Sequence, residues 1–184
     1  MKSQAAGRLE RLRNAAAENG IRTFLVRDTA SIEWLTAFDG VFDDEQAHAL
    51  LVTPHDAVLH TDSRYSGAAR KAAQGEGVIA VDDARRGHGE WVADVFTARH
   101  ASAPAGTPVP ESIVLGIEDS MTLAAFRALK GAFAKAPASP QLRETSDFIR
   151  MLRAVKEPSE VARMKAAQAI TDAAFSYIVT YMKP

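Results

Sequence analysis

The chain has 184 residues and no cysteine, which excludes disulfides and thiolate metal sites. No apolar run approaches the ~20 residues needed to span a bilayer. The first residues, Met1-Lys2-Ser3-Gln4-Ala5-Ala6-Gly7-Arg8, lack the apolar segment of a secretory signal. A soluble, cytoplasmic protein is therefore expected. Lys plus Arg number 22 and Asp plus Glu 23, for a net charge of −1. The basic residues are dispersed among acids, so neither nucleic acid nor an anionic membrane is indicated as a partner. No Gly-x-Ser-x-Gly occurs, and no glycine-rich phosphate loop follows a strand, which argues against a nucleophilic hydrolase and a nucleotide binder. There is no internal repeat. The rest is ordinary globular composition, 47% hydrophobic and 24% charged, enough for one domain or one domain plus part of a second.

The organising stretch runs from Ala47 to Ala69. Ala49-Leu50-Leu51-Val52-Thr53 and Ala57-Val58-Leu59-His60-Thr61 are two apolar runs separated by Pro54-His55-Asp56. Pro54 fixes φ and Asp56 is expected to turn the chain with its own side chain, giving a tight hairpin. The runs are continuous rather than alternating, as in strands covered on both faces. Asp62 is placed to cap a helix running to about Gln74.

The other elements layer around this unit. Arg8 to Asn19 reads as a helix with Leu9, Leu12, Ala16 and Ala17 inward and Arg8, Arg11 and Arg13 mostly outward, stopped at Gly20. Ile21 to Val26 reads as a buried strand. Asp28 or Thr29 caps a short helix carrying Ile32, Trp34 and Leu35, and Gly40 ends that unit. Val41 to Gln46 is an acidic loop. Gly75-Glu76-Gly77 breaks the Ala-rich helix before a short strand, Val78 to Val81. Asp82 to Gly89 is expected to be polar and flexible, and Glu90 to His100 helical. Ala101 to Pro110, with three prolines, is a surface loop. Ile113 to Ile117 is a strand, and Ser120 caps a helix that Gly131 closes. Thr145 caps a helix with Phe148, Met151, Leu152 and Val155 on one side. Pro158 at N1 makes Glu157 the N-cap and Glu160 the N3 residue of a last long helix reaching about Met182. The fold class is α/β, a mixed and partly antiparallel sheet flanked by helices.

Four segments in this order resemble a known family. Ser31-Ile32-Glu33-Trp34-Leu35-Thr36-Ala37-Phe38 is similar to Asn-Ile-x-Tyr-Leu-Thr-Gly-Phe. Leu59-His60-Thr61-Asp62-Ser63-Arg64-Tyr65 is similar to Leu-x-Thr-Asp-x-Arg-Tyr. Leu115-Gly116-Ile117-Glu118 matches Ile-Gly-Ile-Glu. Ile149 to Val161 resembles the Leu-Arg-x-Ile-Lys-Ser-Pro-x-Glu-Ile link. In these four segments the chain resembles the N-terminal domain of the creatinase/prolidase family, proline-specific metallopeptidases with a pita-bread catalytic domain. Ser31, Trp34, Ala37 and Glu157 depart from the pattern.

The resemblance implies a non-catalytic domain over residues 1–156 and, over 157–184, the linker and first helix of a catalytic domain that lies elsewhere. Two divalent ions (manganese, cobalt or zinc) would be held there by two Asp, one His and two Glu; none is expected in this chain. It also implies a homodimer in which this domain shapes the partner's active-site mouth for short Xaa-Pro peptides. Phe38, Asp39 and Asp43 are then the candidate rim, where an acid attracts a substrate's amino group. Asp62, Arg64, Tyr65 and Trp34 are structural. Alternatives are a binding module of the same fold without peptidase activity, as in a histone-chaperone subunit, and the first half of a creatinase-type hydrolase.

Two other patterns are read structurally. Gly87-His88-Gly89 superficially resembles the surroundings of the family's metal histidine, but it lies far upstream and lacks Asp-x-Gly or paired-Glu partners. His55, His60 and Asp62 do not converge, because His55 is in the turn. Asp62 and Arg64 are two apart at a helix start and are expected not to face each other.

Overall fold

A computed structural model describes residues 3–43, 45–101 and 113–182. The proline-rich loop expected over 101–110, Asp44 of the acidic triplet and the last two residues fall largely or wholly outside them. The contacts divide the chain into one compact unit through Arg150 and a second from Met151.

The first unit holds α1 (Gln4–Glu18), β1 (Thr23–Val26), α2 (Thr29–Thr36), β2 (Ala49–Val52), β3 (Ala57–His60) and α3 (Ser63–Glu76). Then follow β4 (Ala80–Asp82), α4 (His88–Ala101), β5 (Val114–Glu118), α5 (Leu123–Phe133) and β6 (Gln141–Thr145). A short helix, α6 (Phe148–Ala154), precedes the long α7 (Pro158–Val179). No helix among the described residues is long and apolar enough to cross a membrane.

The six strands form one sheet in the order β4-β3-β2-β1-β5-β6. β2 pairs antiparallel with β1 and β3, while β1–β5, β3–β4 and β5–β6 are parallel. One strand, β2, therefore runs against the other five. The hairpin register, from Ala49↔His60 to Val52↔Ala57, is the one the two apolar runs call for. Both strands are buried throughout, so their lack of alternation reflects cover on both faces. Leu25, Leu51, Val58, Leu115 and Ile117 pack with Trp91, Val92 and Phe96 of α4 and Leu129 and Phe133 of α5. The alternate residues Phe24, Leu50 and Leu59 point to the opposite face and are also buried. Fully buried Leu9, Leu12, Ile32 and Leu35 of α1 and α2 supply that second layer, and Phe24 stacks on Phe148 at 5.4 Å.

The structure corrects several local readings. Arg8 is buried, not outward: it is 2% exposed, donates to the Trp34 carbonyl at 2.7 Å and lies over the Trp34 ring. The hairpin turn is made by Thr53 rather than Asp56. The Thr53 hydroxyl accepts from the amides of His55 and Asp56, and the Asp56 carboxylate pairs with Arg99. Residues 82–89 are not loose, because the Asp82 carboxylate organises them and α4 already starts at His88. α5 is capped by Thr122, whose hydroxyl accepts from Ala125, and it passes through Gly131 to Phe133. Thr145 is the last residue of β6, an edge strand too polar to read as one. In α6 the buried residue is Ile149, while Met151, and Val155 just beyond the helix, are exposed.

In the second unit, α7 starts as its sequence indicates. Glu157 is the N-cap, Pro158 opens the first turn, and the Glu160 carboxylate accepts from the Glu157 amide at 2.8 Å.

Candidate functional site

Because β2 alone is reversed, its start lies at the same edge as the carboxyl ends of the other five strands. Arg27 and Asp28 follow β1, His48 precedes β2, His60 ends β3, Asp82 ends β4 and Glu118 ends β5. In open α/β sheets this edge is where chemistry usually gathers.

Glu118 ties β5 to the end of β1. One carboxylate oxygen accepts from the amides of Arg27 at 2.6 Å and Asp28 at 2.9 Å. Burial pushes its carboxyl up, against the pull of those two amides and nearby Arg27. Burial also lowers the Arg27 guanidinium to about 10, although Glu118 opposes this. Arg27 Nη2 donates to the Gln46 carbonyl at 3.0 Å, and its buried Nη1 has no hydrogen-bond partner.

Three histidines surround this arginine and are held neutral, first by burial. His48, 0% exposed, places Nδ1 2.8 Å from the Thr61 hydroxyl. His60 stacks on Trp91 and places Nε2 3.0 Å from the Ala84 carbonyl. A carbonyl only accepts, so His60 carries its proton on Nε2 and its Nδ1 accepts. The donor to that Nδ1 is then His88 Nδ1, 2.7 Å away. Burial, reinforced by Arg27 and His60, lowers His88 to about 3. Burial works against ionisation of Asp82, yet the Ala84 amide, the Trp91 ring N–H and Arg86 together hold its carboxyl below the usual range. Most polar groups at the edge bond one another, while Arg27 Nη1, His48 Nε2 and Arg86 Nε are buried without a hydrogen-bond partner. Among the described residues, no three His, Asp or Glu converge into a metal site. His55 sits exposed in the turn at the other end of the hairpin.

The residues singled out by motif lie beside this edge. Trp34, 7% exposed, is in the core under the guanidinium groups of Arg8 and Arg11. Phe38 is 1% exposed, while Asp39 and Asp43 face solvent. Asp62 caps α3 by accepting from the Arg64 amide at 2.8 Å. Contrary to the spacing argument, Arg64 folds back onto that same carboxylate, with Nη2 at 2.7 Å, and also reaches Glu45 at 2.6 Å. Those two carboxylates raise the Arg64 guanidinium further above its usual value. The Tyr65 hydroxyl donates to Asp43. That bond pushes the phenol up to about 12 and, with the Glu45 amide, holds Asp43 below the usual carboxylate range. Sequence reasoning missed Arg27, His48 and Glu118 as a network. Each is a polar residue abutting an apolar run, and Glu118 also closes the Leu115-Gly116-Ile117-Glu118 motif.

Solved structures share this fold. An Xaa-Pro dipeptidase from Bacillus anthracis is 28% identical with a TM-score of 0.75, over 98% of this chain and 44% of that one. An X-Pro aminopeptidase from Thermotoga maritima MSB8 has the same fold, with a TM-score of 0.68 at 22% identity over 95% of this chain and 44% of that one. Among curated proteins, an uncharacterized peptidase, YqhT, of Bacillus subtilis strain 168 is 26% identical over 178 residues, 96% of this chain and 44% of YqhT. The chain thus spans less than half the length of these relatives. The profile described as Creatinase/Prolidase N-terminal domain matches residues 8–155, and the chain belongs to that family.

Proposed function

We propose that this chain is the non-catalytic N-terminal part of an Xaa-Pro-specific metallopeptidase, an aminopeptidase or dipeptidase. In this reading residues 1–156 are the N-terminal domain, and 157–184 link it to, and begin, the catalytic domain. The observation that carries the proposal is coverage: relatives bearing peptidase names match nearly all of this chain with only 44% of their own length.

The second unit supports it. Met164, Ile170, Phe175, Tyr177 and Ile178 of α7 are all more than half exposed. At 3.6 residues per turn, Lys165, Asp172 and Ser176 mark one polar strip, and apolar side chains occur on most other sides. Such a helix is suited to the interior of a larger body.

Two divalent ions, manganese, cobalt or zinc, would supply a metal-activated hydroxide in the parent enzyme. The residues described here do not fit that group. His88 of the Gly-His-Gly stretch spends Nδ1 on His60, and no carboxylate pair accompanies it. No step of peptide hydrolysis is therefore assigned to this chain. Its proposed roles are to dimerise, in the cytoplasm, and to rim the partner subunit's cleft. Phe38 anchors the rim from within, and Asp39 and Asp43 offer negative charge to the amino group of a short Xaa-Pro peptide.

The test is an assay of the purified 184-residue chain with manganese and an Xaa-Pro dipeptide, beside a longer polypeptide extended to the length of its relatives. Proline release is expected from the longer polypeptide alone. Turnover by the short chain overturns the proposal. Inactivity of both favours the binding module.

A further inference from the structure

We infer that Arg64 and Tyr65 are positioning residues: with Asp62 they clasp the acidic stretch after α2 onto the first turn of α3. The clasp is read from geometry alone; its consequence for substrate rests on the proposed reading of that stretch as an active-site rim.

Between buried Phe38 and buried His48 the described residues form neither helix nor strand, so no backbone ladder fixes them. They are held largely through side chains. Near α2, the Gly40 amide donates to Glu33 at 3.0 Å. Near β2, Arg27 donates to the Gln46 carbonyl. Among the described residues, two carboxylates between these ends are taken by α3: Asp43 accepts from the Tyr65 hydroxyl, and Glu45 accepts from Arg64 at 2.6 Å.

Both donors are also held by groups outside the stretch. The Asp62 carboxylate that caps α3 also accepts from Arg64 Nη2 at 2.7 Å and Nε at 3.2 Å, so capping the helix and orienting the arginine are one interaction. The Tyr65 ring stands edge-on to His48 at 4.7 Å, and the other neighbour of His48 is Phe42 at 4.5 Å. The fully buried histidine thus sits between a ring of the stretch and a ring of the helix. With its ring fixed from below, Tyr65 has only its hydroxyl left to engage Asp43. An arginine fork on two carboxylates plus a phenol on a third is a directional set, and it holds charge in place rather than adding core. The Asp-x-Arg-Tyr motif therefore has work beyond starting a helix.

Hydrogen exchange of the 184-residue chain by mass spectrometry tests this with Tyr65→Phe, Arg64→Gln and the double variant. Tyr65→Phe keeps the ring against His48 and removes only the hydroxyl. Exchange in a peptide spanning 39–46 is expected to rise about three- to tenfold in each single variant and further in the double. A peptide spanning 49–60 is expected to be unchanged. Arg64→Lys, which keeps charge but loses the fork, should fall between wild type and Arg64→Gln. Unchanged exchange over 39–46 in the double variant overturns the inference. So does an equal rise over 49–60, which would report general loosening. In a longer, active polypeptide, Tyr65→Phe should raise KM for an Xaa-Pro dipeptide more than it lowers kcat. If exchange rises and KM does not move, the clasp stands and the rim reading fails.

Discussion

His60 and His88 meet nitrogen to nitrogen, Nδ1 to Nδ1 at 2.7 Å, and the Ala84 carbonyl on the far side of His60 fixes which of them donates. The contact needs one bare nitrogen. Protonating His60 at Nδ1 keeps the contact only if His88 moves its proton to Nε2; burial opposes the added charge, with Arg86 and Arg27 against it and Asp82 in its favour.

Stability should therefore fall on acidification. His48, His60 and His88 all have folded values below their unfolded value of about 6.5, so unfolding takes up protons. The stabilisation is complete above about pH 6.5 and is lost as pH drops toward the folded values, about 3 for His88. Each histidine adds up to about 1.4 kcal/mol per pH unit to the slope. Urea denaturation at pH 7, 6, 5 and 4.5 should show the decline. His88→Asn keeps a donor for His60 without a titrating group and should flatten the slope by up to one proton. An unchanged slope in that variant refutes this assignment.

Ala37 sits at φ 56°, the left-handed C-cap of α2. A β-carbon is strained there and glycine is not. Ala37→Gly should stabilise by about 0.5–1 kcal/mol, raising Tm by about 1–4 °C for a chain of this size. A lower Tm would show that the side chain contributes packing that outweighs the strain.

Gly89 lies where α4 crosses α5. A β-carbon built on it would come within 2.9 Å of the Ala128 backbone carbon and oxygen. Backbone cannot rotate away as a side chain can, so Gly89→Ala should destabilise by about 1–3 kcal/mol. Chemical denaturation checks this, with Gly87→Ala as control because nothing lies within 4 Å of its β-position.

Glu118→Ala strips the Arg27 and Asp28 amides of their shared acceptor and should cost about 2–4 kcal/mol. Glu118→Gln retains an acceptor oxygen and should lose less. Equal losses in the two variants would indicate that charge toward Arg27, rather than the amide bonds, dominates.

What sequence could show follows the physics of each element. The hairpin was legible because Ala49–Val52 and Ala57–His60 are continuous apolar runs buried on both faces. The starts of α2, α3 and α7 were legible because Asp28, Asp62 and the Glu157-Pro158-Ser159-Glu160 run carry local capping chemistry. β6 was not, since Gln141, Arg143 and Glu144 lie exposed on an edge strand and leave no apolar period. Arg8 was misread because its helical position resembles a solvent position, and only the tertiary Trp34 carbonyl makes it internal. At the edge, Asp62, Arg64 and Tyr65 were singled out by motif, but their contacts with Glu45 and Asp43 span 19 and 22 residues. The Gly87-His88-Gly89 pattern that resembled a metal ligand is accounted for by a helix crossing and a histidine pair.

The strand order also sets an order of assembly. β1 to β4 are contiguous in the sheet and complete by Asp82, whereas β5 joins the free side of β1 only after Val114 has been made. Until then, Thr23 to Val26 is an apolar, unpaired border able to template against another molecule. During synthesis or partial unfolding, the vulnerable surface is therefore a strand that ends up in the middle of the native sheet, and the arrival of β5 seals it.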